Sequence, residues 1–288
     1  MIDAGWLVLR AAGFILVLQA SGAVLFLALF ARQLAPRSLG VIRMTAAHVA
    51  RAALLCVCAQ GLVEPLHLAG EWEGLKDPLL WRLAWFGPGA WILWLRLLGL
   101  TLLLQALRPK RALLPLAAPG VLLALGSFLV GGHALVDAHR LLLAPLLGLH
   151  VLAVAFWFGA LWPLRQVAEL EPAPRAAAVL HSFSRRAVWL VPLLGLAGLG
   201  LAAVLLPDLA ALRRPYGQIL CLKVLLFAVL LALAARNKLA LVPALARADL
   251  RALPALRRNL MLEYALVCTV LTATALLTGL FSPAAGAS

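Results

Sequence analysis

The sequence predicts an all-α fold: a polytopic membrane protein in which eight transmembrane helices form one bundle, with N-terminus and C-terminus both on the outer side. Three observations predict it. Of 288 residues, 65% are hydrophobic and 12% charged, whereas a soluble domain is about half apolar and a quarter charged. The apolar residues fall in runs of about 20, the length a helix needs to cross the hydrocarbon. Lys and Arg collect in alternate loops between the runs, the bias that orients a membrane protein.

The first run, from Gly5 to Phe30, lacks a basic leading region, follows Asp3 and is too long for a signal-peptide core, so it reads as a retained span over residues 5 to 31. Spans follow at 41 to 65, 88 to 107, 112 to 130, 142 to 164, 187 to 206, 217 to 235 and 260 to 281. The stretch 77 to 86 is too short to cross and, with Trp81 and Trp85, reads as an interfacial helix. Residues 1–288 therefore form a single integral membrane domain whose first partner is the lipid bilayer. Phe86-Gly87 ahead of Arg96 is echoed by Tyr216-Gly217 ahead of Lys223, which would make 1–130 and 131–288 a weak four-plus-four helix repeat. Chance similarity between apolar helices gives the same echo.

Counting Lys and Arg loop by loop fixes the orientation. Sixteen lie in the odd-numbered loops and five in the even-numbered ones, so the odd loops are cytoplasmic. Acidic residues show the opposite bias, with Asp3, Glu64, Glu71, Glu73, Asp77, Asp137 and Asp208 outside. The formal charge of +14 is thus mainly an orientation signal. It implies no nucleic-acid partner, because a nucleic-acid reader gathers its basic residues on one solvated face. Cys56, Cys58, Cys221 and Cys268 lie within apolar runs, where they behave as small hydrophobes. No phosphate loop, CxxC or HExxH metal motif, or GxSxG elbow is present, and the chain reads as no enzyme.

The polar residues inside the spans carry the functional information. Arg10, Arg51, Arg96 and Lys223 are intramembrane cations, each of which needs a partner or a wet cavity, or else snorkels. His133 follows Gly131-Gly132 at the outer end of the fourth span, and His150 lies in the outer half of the fifth. The two can meet there, as metal ligands or as paired core histidines. Asp137, His139, Glu64, His67, Glu71 and Glu73 add ligand-type groups on that side, although His67 and His139 also read as solvated loop residues. At a helical period, His150 shares a face with Trp157. Met44, His48 and Cys58 share a face of the second helix, a soft ligand ladder or ordinary packing, with Arg51 on the same face arguing against a cation path.

From about residue 125 to 288 the chain resembles the copper resistance protein D family (CopD) of bacterial inner-membrane proteins. The resemblance rests on Gly132-His133-Ala134, on His150 followed by Trp157, Gly159 and Leu161, and on Phe183-Ser184. It continues through Tyr216-Gly217 ahead of Lys223, Asn237 ahead of Pro243, and Leu256-Arg257 with Glu263. It departs from the family pattern at Gly131, commonly Ser, and at Leu147, often Asp. The resemblance implies eight spans, copper as the transported ion and a periplasmic copper-binding partner of the CopC type. It makes His133 and His150 the leading ligand pair, with His48, Met44, Cys58, His67, Asp137 and His139 as weaker ligands and Trp157, Arg96, Lys223 and Glu263 in support.

Two functions follow as expectations. The first is copper transport and homeostasis in the bacterial inner membrane, with import favoured, through a histidine site in the outer half of the bundle. The alternative is a membrane electron-transfer protein whose His133 and His150 hold a b-type haem, with buried cations near its propionates.

Overall fold

Apolar runs that cannot hydrogen-bond to lipid must satisfy their backbone internally, and helices do so within one segment. The computed structural model describes residues 2–109, 113–130, 140–205, 213 and 215–280, and among these there is no strand. The helices are α1 (Ile2–Phe30), α2 (Pro36–Ala69), α3 (Pro78–Phe86), α4 (Ala90–Ala106), α5 (Leu113–Val130), α6 (Arg140–Leu170), α7 (Ala173–Leu205), α8 (Pro215–Arg236), α9 (Val242–Ala246) and α10 (Ala252–Leu280). A π-helical turn, Asn237–Leu241, joins α8 to α9.

Eight of these helices stand where the sequence places spans. Six segments, within α1, α2, α6, α7, α8 to α9, and α10, are long and apolar enough to cross a membrane. The pair α3 and α4, bent by 59° around Gly87-Pro88-Gly89, makes a seventh if it counts as one broken span. The apolar stretch Pro115–Val130 of α5 is shorter. The sequence boundaries were too narrow in several places: α2 runs on to Ala69, α7 begins at Ala173, helix continues past α8 to Ala246, and α10 begins at Ala252. In each case the extension carries polar or charged residues, such as His67 on α2 or Arg175, Arg185 and Arg186 on α7. Hydropathy detects only the lipid-length core of such a helix.

Local signals set the ends. Ala35 is extended and Pro36 opens α2, whose C-terminus closes on Gly70 at φ 75°, with the Gly70 N–H donating to the Leu66 carbonyl. Asp77 caps α3 by accepting from the Leu79 N–H at 2.8 Å, and a short helix forms over the stretch expected to be one. Glu171, just past α6, accepts from the Ala35 N–H at the start of α2 at 2.7 Å and pairs with Arg175 at 3.6 Å. From α10, Arg257 donates twice to the Ala168 carbonyl in the last turn of α6, at 2.7 and 3.1 Å. One end of the bundle is thus tied by charged side chains reaching bare helix ends.

α1 is central, packing against α2, α5, α6 and α10. Val17, Phe26, Leu27 and Phe30 of α1, Leu100 and Leu103 of α4, and Phe158, Leu161 and Leu164 of α6 form its core. Two crossings are closed by small residues, the usual device for helix contact in lipid. A Cβ on Gly22 would overlap the Ala155 carbonyl and Gly159, and one on Gly99 would press on the Ala124 backbone. α7 and α8 are peripheral: α8 packs on α10 and the π turn, and meets α7 where the Phe227 ring lies against Gly195.

Candidate functional site

Three of the cations within the helices and one histidine gather in one layer. Arg10, Arg96, His150 and Lys223 lie six to ten residues from the starts of α1, α4, α6 and α8, a depth of roughly 9–15 Å at the helical rise. All four line a single chamber of about 1500 Å³ between the helices. Its walls are largely apolar, with Phe14, Phe128, Trp157 and Phe227 among the lining residues. Arg10, Arg96 and Lys223 meet one lining carboxylate, Glu64.

Arg96 is 7% exposed. Its Nε donates to Ser127 Oγ at 3.0 Å and its Nη1 to Gln60 Oε1 at 3.4 Å, while its guanidinium lies 4.9 Å from the Phe128 ring centre and 5.7 Å from that of Phe14. Arg10 approaches Phe14 as well, at 5.5 Å, and Trp6 at 5.0 Å. Its Nη2 donates to Thr278 Oγ1 at 3.2 Å, and its buried Nε has no hydrogen-bond partner. Both guanidiniums therefore share one aromatic ring, and neither forms an ion pair among the described residues. Glu64 instead accepts from the Trp6 indole at 3.1 Å, and the other face of Trp6's surroundings is closed by His67, stacked on the indole at 4.0 Å and 15°. Gln60 completes the frame by donating to the Leu9 carbonyl at 2.8 Å, in space that a side chain at Gly13 would fill.

His150 lies across the chamber. Its ring packs over Gly198 of α7, where a Cβ would come within 3.3 Å of it. It faces the Leu194 backbone and feels the Lys223 charge, yet its buried Nδ1 lacks a well-formed hydrogen bond. Trp157, two turns along the same face, also lines the chamber, as the helical period predicts. Its indole donates to Glu263 at 3.3 Å and so opens onto a second polar cluster. There Asn237 donates to Glu263 at 2.6 Å, Asn259 to Asn237 at 3.0 Å, and Arg236 to Asn259 at 3.4 Å. Glu263 and Asn259 are 2% and 0% exposed. Asn237 opens the π turn, a distortion that recurs at functional positions.

The remaining candidates fall elsewhere. His133, Asp137 and His139 lie outside the described residues. Met44 and His48 are on the exposed face of α2 with Arg51, and Cys58 is half-buried; none lines the chamber. His67, expected in a loop, is in the last turns of α2. Among the described residues no group of three His, Cys, Asp or Glu side chains is placed to hold a metal ion. Of the residues invoked for haem, His150 and the cations Arg10, Arg96 and Lys223 line the chamber, and no second histidine among the described residues does. Gln60, Ser127 and Asn259 are not singled out by the sequence, and Asn237 stands out there only as a landmark of the resemblance. The available signal was a neutral polar residue within an apolar run.

The family model for copper resistance protein D matches residues 177–277, roughly a third of the chain. This supports the copper resistance protein D family and a multi-pass membrane protein of copper resistance and homeostasis. The matched segment runs from α7 to α10 and contains Lys223, Asn237 and Glu263, while His150 and Trp157 precede it. No curated protein and no solved structure matches the chain.

Proposed function

We propose that this protein moves copper across a bacterial inner membrane, through a site that includes His150 and His133. The observation that carries the reading is His150 itself: a chamber-facing imidazole whose buried Nδ1 lacks a well-formed hydrogen bond, in a chain whose following third matches a copper resistance family. Imidazole is a good copper ligand, and a ring that turns one nitrogen toward a backbone group can present the other to a metal ion.

In this reading eight helices span, α4 as the third with α3 lying in the interface before it, and both termini face the periplasm. The charge-paired end of the bundle then faces the cytoplasm, and the chamber layer lies in the outer half. Copper arrives from a periplasmic carrier of the CopC type and moves inward. His133 and His150 hold the ion, Trp157 fixes the chamber wall below them, and Glu263 anchors Trp157 through its indole. Arg96 and Lys223 hold the surrounding helices rather than touching the ion. The molecule works as one membrane domain, its two four-helix halves forming a weak repeat.

Metal analysis of the purified protein tests the site. Wild type, loaded with copper and desalted, is expected to retain it, and the His133→Ala and His150→Ala variants to lose it. Retention by the double variant contradicts the assignment. The visible spectrum of the same sample tests the haem alternative, which requires a Soret band.

A further inference from the structure

The chamber is far larger than an ion needs. Sites for organic molecules occupy about 300–1,000 Å³ and are mainly apolar with a few placed polar groups, and this one is about 1500 Å³ with three cations at a common depth. Arg10 and Arg96 lie against the same Phe14 ring and feel each other's charge. Two guanidiniums that approach one ring in lipid, within reach of each other's charge, are costly unless an anion offsets them. The described residues offer no carboxylate within ion-pair distance; Glu64, whose charge Arg10 feels from farther off, accepts from Trp6.

We propose that the Arg10–Arg96 side of the chamber binds the phosphate headgroup of an anionic phospholipid, whose acyl chains run along the apolar walls toward α7 and α8. Charge complementarity selects the headgroup, since basic pockets between transmembrane helices recognise anionic lipids, and arginine matches phosphate with paired donors. The free valences are present: Arg10 Nε is unpartnered. Apolar accommodation for the chains is present as well. Leu199 of α7 and Val224 and Leu225 of α8 line the chamber and are also 62%, 53% and 63% exposed, so this wall is continuous with the surface that lipid covers. The site uses neither His133 nor His150 and stands independently of the copper reading.

The test is lipid retention by the whole protein, solubilised in a neutral detergent from vesicles of equal phosphatidylglycerol and phosphatidylcholine with matched chains, and read by native mass spectrometry. Wild type is expected to keep about one phosphatidylglycerol per chain, at least tenfold above phosphatidylcholine. Combining Arg10→Gln with Arg96→Gln is expected to abolish that preference, and Arg51→Gln, on the exposed face of α2, to leave it intact. Equal retention of the two lipids overturns the proposal without any variant, and so decides the matter even if the double variant fails to fold. Displacement of phosphatidylglycerol by excess inorganic phosphate also overturns it, assigning the arginines to a free anion.

Discussion

His150 and Asn259 are both buried polar residues on apolar helices, but their surroundings give them opposite expectations. Asn259 is spent on structure: it donates to Asn237 and accepts from Arg236. Replacing it by Leu keeps the shape and strands Asn237 Oδ1, at a cost of about 1–3 kcal/mol. The expected outcome for Asn259→Leu is a lower melting temperature in detergent, read by intrinsic fluorescence. His150 has only a weak contact with the Leu194 backbone, so His150→Ala is expected to leave the melting temperature within a few degrees while copper retention falls. The sequence made His150 visible because histidine is rare in an apolar run. It left the role of Gln60 and Asn259 illegible, because a neutral amide has no periodic partner in sequence; its partners, Arg96 and Asn237, lie 36 and 22 residues away.

Among the helices, the closest crossings depend on glycine. At the α1–α6 crossing Gly22 and Gly159 touch backbone to backbone, so a methyl group at either has to push a helix aside. Gly22→Ala and Gly159→Ala are each expected to cost about 1–3 kcal/mol by overpacking. Gly40→Ala, which would meet nothing within 4 Å, is expected to be neutral or slightly stabilising. Thermal melting of the three proteins side by side checks the contrast. The α2 start offers another test: Glu171→Ala removes the acceptor of the Ala35 N–H, and about 1 kcal/mol of destabilisation is expected by analogy with a lost cap. Helix identity was legible throughout because hydropathy alone forces it. Helix length was not, since residues such as Arg185 and Arg186 continue α7 on the strength of backbone hydrogen bonding that no apolar pattern reports.

At the scale of the whole molecule, the basic residues divide into two populations. Those in the odd-numbered loops predict orientation; those in the spans converge, with Arg10, Arg96 and Lys223 in one chamber and Arg51 alone outside it. Arg96 and Lys223, which the sequence echo aligns, lie six and eight residues from the starts of α4 and α8. Reporter fusions at both termini are expected to report the periplasm. The central claim is that copper passes through the site containing His150. Purified protein in vesicles loaded with a Cu(I)-responsive chelator tests it most directly. External Cu(I) is expected to reach the chelator at least tenfold faster with wild type than with His150→Ala or with empty vesicles. Equal rates for wild type and His150→Ala would contradict the account.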